Sequence, residues 1–174
     1  MYLQCPFVYD EIEGERRMEK PYFPVFIDMA DKTVLIVGAG KIALRRVRTL
    51  LRFGARIRVV APDFCRELGE MEESGKICAE RRVYLPGDIQ GAALVIAATD
   101  SREVNRQIRE DCRGRGIPVN VADDRALCDF YFPSVVMTDD AAIGISSGGD
   151  APGRTKEIRG KIERALGASG WYEN

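Results

Sequence analysis

Gly38-Ala39-Gly40-Lys41-Ile42-Ala43 is the segment of this chain whose residue types and spacing say most about chemistry. It fits the pattern GxGxxG/A, in which the first glycine permits a tight turn and the second lets backbone approach a pyrophosphate. The third small residue lets a helix pack on a strand. Phosphates held there would meet the N-terminus of the following helix. The same pattern occurs at purely structural strand-to-helix corners, and its place directly after the apolar run Val34-Leu35-Ile36-Val37 is what points to dinucleotide binding. An acidic residue for the ribose hydroxyls is expected at the end of the second strand, where this chain has Val60-Ala61-Pro62. Asp63 is the nearest candidate, and it reads equally as the N-cap of the next helix. NAD is the expected cofactor over NADP, because Arg56 and Arg58 lie too early in the strand to hold a 2'-phosphate. Asp123 and Asp124 follow a further apolar run and serve either at the mouth of a cleft or as caps of the next turn. Histidine is absent from the 174 residues, so proton transfer falls to carboxylates, thiols, Lys, Tyr or water.

These residues need a scaffold, and the apolar pattern supplies one. Residues 34–37 form a continuous apolar run, as in a strand covered on both faces. Ala43, Val47, Leu50 and Leu51 then recur at helical spacing, and Gly54 stands where a left-handed helix terminus wants glycine. Further strands are expected at 57–61, around 77–83, at 92–99 and at 117–121, with helices over 64–73, closed by Gly75, and after residue 100. Asp100 and Glu103 stand at capping-box spacing before that last helix, whose Val104, Ile108 and Cys112 share a face. This alternation predicts an α/β fold, a Rossmann-type doubly wound parallel sheet. Beyond Asp124 the pattern changes to two short strands, 134–137 and 142–146, around a Thr138-Asp139-Asp140 turn. A final helix follows with Ile158, Ile162, Ala165 and Leu166 on one face. The expected organisation is a flexible N-terminal extension over 1–20, a nucleotide-binding domain over 21–122, and a small appended hairpin and helix module over 123–174.

Composition excludes several functions. With 45% hydrophobic and 30% charged residues the chain buries one core and a small second module. A formal net charge of -1 gives no global attraction for nucleic acid or anionic lipid, so neither nucleic acid nor membrane is an expected partner. Cys5, Cys65, Cys78, Cys112 and Cys128 are odd in number, with no CxxC pair, which argues against a disulfide framework or zinc ribbon and for reduced cytosolic thiols. No metal site is expected. Apolar runs such as 92–98 fall far short of the roughly 20 residues of a membrane helix, so a soluble, cytoplasmic protein is expected.

Several segments in order resemble the precorrin-2 dehydrogenase family, the N-terminal portion of siroheme synthases. They are Tyr22-Phe23-Pro24-Val25-Phe26, residues 34–46 with a GxGxxAxRR run, Ala97-Ala98-Thr99-Asp100, Asn120-Val121-Ala122-Asp123, Phe132-Pro133-Ser134 and Ser146-Ser147-Gly148-Gly149. The resemblance implies a homodimer that uses NAD to oxidise precorrin-2, a tetrapyrrole, to sirohydrochlorin; some relatives also insert iron. It places the family's catalytic carboxylate on Asp123, the base that accepts a proton while a hydride leaves for the nicotinamide. It assigns dinucleotide contacts to Gly38, Gly40, Lys41, Ile42, Pro62 and Asp63, with Thr99 and Asn120 facing the same crevice; their other reading is turn capping. Ser147 and Gly148 correspond to the substrate pocket, and a plain hairpin-to-helix turn is the alternative. Because the substrate is a polycarboxylate, Arg45, Arg46, Arg125, Arg154 and Lys156 are candidate cations, although Arg45 and Arg48 also read as a solvated helix face. The run Asp150-Ala151-Pro152-Gly153-Arg154 is more polar than the resemblance implies.

Two other functions compete. A non-catalytic NAD(H) sensor explains the glycine loop equally well but not an aspartate at a strand end beside a serine-glycine turn. A metal chelatase acting on sirohydrochlorin would use the same cleft, with Phe130-Tyr131-Phe132 stacking on the macrocycle; such a triplet also reads as core or dimer interface.

Overall fold

Val34, Leu35, Ile36 and Val37 are all buried because the strand that carries them, β1 (Thr33–Val37), lies in the middle of a sheet with packing on both faces. The computed structural model describes residues 23–148 and 151–167, so the expected extension over 1–20, Tyr22 and Gly149 lie outside the described residues. After β1 come α1 (Lys41–Leu51), β2 (Arg56–Ala61), α2 (Arg66–Glu73), β3 (Cys78–Arg81), β4 (Leu94–Ala97), α3 (Arg102–Arg115) and β5 (Val119–Val121). The sheet order is β3-β2-β1-β4-β5, every pair parallel. The doubly wound sheet is therefore present, with the chain reversing its direction of travel between β1 and β4.

Alternate residues of β1 feed two cores. Val34 and Ile36 pack with Ala43, Val47 and Leu50 of α1 and Leu68 of α2, while Leu35 and Val37 pack with Ile108 and Cys112 of α3. The β3-to-β4 crossover carries a single 3-10 turn, Pro86–Ile89, whose Ile89 completes the second core. Gly54 and Gly75 adopt positive φ, as their places after α1 and α2 required.

The ends of several elements differ from the sequence reading. α3 begins one residue later than the Asp100–Glu103 spacing implied: its N-cap is Ser101, whose hydroxyl accepts from Val104 N–H. The Thr99 hydroxyl accepts from Ser101 N–H and so holds residues 99–101 outside the helix. α2 begins at Arg66 with Cys65 as N-cap, which removes the capping role considered for Asp63. β5 is only three residues long; Pro118 supplies a carbonyl to Val95 N–H but has no N–H of its own for the ladder.

The appended module is a hairpin, β6 (Ser134–Met137) and β7 (Ala142–Ile145), joined through residues 138–141 as expected, with Thr138 N–H bonding to the Ala141 carbonyl at 2.9 Å. α4 (Pro152–Leu166) packs on both strands. No helix of the described residues is long and apolar enough to cross a membrane.

Candidate active site

The first glycine of the loop is dictated by a close approach. Gly38 has φ +100, and a Cβ there would stand 2.3 Å from the Ala98 carbonyl oxygen. Its N–H bonds to the Val60 carbonyl, while Ala98 N–H bonds to Val37, so the ends of β1, β2 and β4 are drawn together at the reversal point. Gly40 is different: it has an ordinary extended backbone, and a Cβ there would meet nothing within 4 Å. The fold itself does not need glycine at 40, and the open space above it is what a ligand approaching backbone requires. α1 has no side-chain cap and no acidic residue in its first turn, so its N–H groups and positive dipole end are left for an anion. Lys41 is exposed beside them, and Ile42 is 44% exposed, an apolar surface at the lip of the loop.

Pro62 and Asp63 are both exposed, just beyond β2. Cys65 N–H bonds to the Ala39 carbonyl at 3.0 Å, which ties this stretch to the glycine loop. The Asp63 carboxylate caps nothing and makes no hydrogen bond or ion pair among the described residues. Arg56 pairs with Asp31 and Arg58 with Glu80, so neither stands at the loop. The residues present fit a dinucleotide: an open glycine, an uncapped helix and a carboxylate without a protein partner, all beyond the carboxyl ends of β1 and β2.

The two aspartates after β5 divide the roles left open by the sequence. Asp124 accepts from Ala126 N–H and caps the 3-10 turn Arg125–Leu127. Asp123 caps nothing. Its side chain is 31% exposed, its Oδ1 accepts from Asn105 Nδ2 at 2.8 Å, and its Oδ2 lies 3.8 Å from Arg102 Nε. Arg102, Asn105, Arg106, Asp123, Asp124 and Leu127 line a recess of about 280 Å³. Asn105, Arg102 and Arg106 were not singled out in the sequence. The available signal was an asparagine one residue after Val104 and three before Ile108, next to the apolar stripe of α3, where it is 1% exposed.

Thr99 and Asn120 are both engaged by their own chain. The Thr99 hydroxyl lies 2.8 Å from Asn105 Oδ1, and Asn120 donates to the Phe130 carbonyl at 2.9 Å. Asn120 is 5% exposed and its Oδ1 has no hydrogen-bond partner among the described residues. The Ser147 hydroxyl accepts from the Thr155 hydroxyl at 2.9 Å and from Ala151 N–H, pinning the hairpin to α4. Gly148, at φ +67, gives its N–H to the Ser146 hydroxyl and accepts from Arg125 at its carbonyl, which draws this turn toward the Asp123 loop. Of the other cations, Arg46 lies over the Phe132 ring at 4.0 Å, whereas Arg45, Arg154 and Lys156 are exposed on α1 and α4.

Residues 25–134 match the model of a family described as "Putative NAD(P)-binding", a span that holds the glycine loop, Asp63 and Asp123. The chain belongs to this family. As an NAD(P)-binding family member it is also similar to curated proteins: it is 44% identical over 148 residues to the siroheme synthase of Ectopseudomonas mendocina, which covers 85% of this chain and 32% of that protein. To the siroheme synthase of Photorhabdus laumondii it is 40% identical over the same length. The chain thus spans about a third of the length of the curated relatives it matches. Among solved structures it is similar to SirC, precorrin-2 dehydrogenase, with a TM-score of 0.70 and 29% identity over 83% of this chain and 71% of that one. The NAD(P)-binding match ends at Ser134, so Ser147 and Gly148 lie beyond it.

Proposed function

We propose that this chain is an NAD-dependent dehydrogenase that oxidises precorrin-2 to sirohydrochlorin. The observation that carries the reading is the separation of the two aspartates: Asp124 caps the turn, and Asp123 is left to line a recess beyond the carboxyl ends of β4 and β5. The names of the similar proteins, siroheme synthase and precorrin-2 dehydrogenase, supply the substrate class.

The residues that would hold NAD are Gly38 and Gly40, with Lys41, Ile42, Pro62 and Asp63 around the loop and Thr99 and Asn120 toward the nicotinamide side. Bound there, NAD supplies the acceptor for a hydride leaving a ring carbon of the substrate. Asp123 takes the accompanying proton, so the substrate loses two hydrogens in all. Arg102 and Arg106, one turn apart on α3, face substrate carboxylates, and Arg106 has no ion-pair partner among the described residues. Ser147 and Gly148 border the substrate from the appended module. The division into 21–122 and 123–174 follows the change from parallel sheet to hairpin. The module has too little core to stand alone, which supports assembly as a homodimer. Among the described residues Cys65, Cys78, Cys112 and Cys128 form no disulfide, which supports a cytoplasmic setting.

The test is anaerobic mixing of the purified chain with precorrin-2 and NAD, following NADH and the visible spectrum of the product, with Asp123→Ala alongside. Coupled appearance of both products, reduced by roughly 10²- to 10⁴-fold in the variant, is expected. NAD binding without turnover of precorrin-2 would instead favour the sensor.

A further inference from the structure

Asn105 is the most fully used polar side chain of the site. With 1% of its surface exposed, it places Oδ1 3.2 Å from Thr99 N–H and 2.8 Å from the Thr99 hydroxyl. Its Nδ2 donates to the Thr99 carbonyl at 3.0 Å and to Asp123 Oδ1 at 2.8 Å. The carboxamide thus meets two donors at its oxygen and spends both of its own N–H groups. Three of these four contacts go to Thr99, at the end of β4, and they fix the plane of the amide. The fourth is then aimed at Asp123 with no freedom left to turn away. Arg102, the other neighbour of that carboxylate, cannot fix it in the same way, being 81% exposed and 3.8 Å distant.

We infer that Asn105 is a positioning residue that holds the Asp123 carboxylate in the orientation in which it accepts the substrate proton. The inference rests on the reading of Asp123 as the base. With a lone pair of Oδ1 filled by the amide, Oδ2, which has no hydrogen bond among the described residues, is the atom at which the new O–H bond forms. The substrate bond to that hydrogen breaks, its electron pair stays on the substrate, and the hydride departs separately to NAD. Asn105 also ties the loop after β4 to the loop after β5, so the base is set relative to the strand end beside the glycine loop.

The test is a mutant cycle in the full chain: Asn105→Ala, Asn105→Asp, Asp123→Ala and the two Asn105 variants in the Asp123→Ala background. Each is assayed for kcat, for KM of NAD, for NADH binding and for melting temperature. Asn105→Ala is expected to lower kcat by roughly 10- to 100-fold with KM changed by no more than about twofold, and to add nothing once Asp123 is gone. Asn105→Asp keeps the acceptor that Thr99 uses but sets an oxygen against Asp123 Oδ1; its kcat is expected to fall at least as far, and it carries the cycle if the alanine variant does not fold. A lowered melting temperature with unchanged kcat, or a kcat loss that persists in full without Asp123, overturns the inference and leaves the dehydrogenase reading standing. A second readout needs no turnover: the side-chain amide signal of Asn105 in NMR, assigned by its loss in Asn105→Asp, is expected to move in Asp123→Ala. A signal that stays in place overturns the inference. A signal that moves in a chain that does not oxidise precorrin-2 supports the contact and overturns the dehydrogenase reading instead.

Discussion

Two glycines in one short loop are there for different reasons, and this is testable residue by residue. Gly38 is demanded by the fold, since any side chain would need both a strained positive φ and room occupied by the Ala98 carbonyl. Gly38→Ala is expected to destabilise the chain by about 2–4 kcal/mol, read from chemical denaturation. Gly40 is in extended backbone with open space around it, so Gly40→Ala should leave stability within about 0.5 kcal/mol while weakening NADH binding roughly 10-fold or more, read from cofactor fluorescence. Equal losses of stability at both positions would remove the argument that Gly40 is reserved for a ligand. The same logic separates Asp123 from Asp124: only the second is held by a backbone N–H of its own turn.

At the scale of elements, α3 is the part that brings the site together, and its start is set by a single hydroxyl. Ser101→Ala is expected to cost about 1 kcal/mol by removing the N-cap, and Asp100→Ala close to nothing, both read from urea denaturation. The β3-to-β4 crossover depends on an ion pair between the buried Asp88 and the half-buried Arg82. Asp88 is 7% exposed and lies 2.7 Å from Arg82, whose guanidinium holds the Asp88 carboxyl below the usual carboxylate range. Because the folded value is depressed, the stabilisation is complete above the unfolded carboxylate pKa of about 3.9 and is lost as pH falls through the lower folded value. Asp88→Asn should therefore cost about 2 kcal/mol at neutral pH, and the difference from the parent chain should shrink in acid; a pH-independent cost would show that packing, not charge, is what Asp88 contributes.

For the molecule as a whole, the two cores on opposite faces of the sheet share β1, whose Leu35 and Val37 pack toward α3 while Val34 and Ile36 pack toward α1, so losing that strand unfolds both together. Cys112 reports on the second core. It is fully buried, and that burial pushes its thiol up to about 12. The raised value makes the folded state hold a proton that the unfolded chain gives up earlier, so stability should decline as pH rises from about 9 toward 12. A thiol reagent at neutral pH should leave Cys112 unmodified until global unfolding, and modify the exposed Cys78 at once, as mass spectrometry of digests would read. Modification of Cys112 well below the unfolding midpoint would mean that α3 opens by itself.

What the sequence by itself determined is whatever depends on neighbours along the chain. The unbroken apolar run of β1, the stripe of α1, the glycines at 54 and 75 and the GxGxxA loop all carry short-range signals, and the parallel sheet and nucleotide loop follow from them. The ordered motifs added the resemblance to precorrin-2 dehydrogenases. Only the tertiary structure decided which aspartate caps the turn and which lines the recess, because the cap made by Asp124 and the bond from Asn105 to Asp123 involve the same residue type at adjacent positions. It also moved the N-cap of α3 to Ser101 and left Asp63 without a capping role, since both depend on turns held by Thr99 and by the Ala39 carbonyl. Asn105 and Asp123 are 18 residues apart and meet only when α3 lies along β4 and β5, a contact that no local periodicity records.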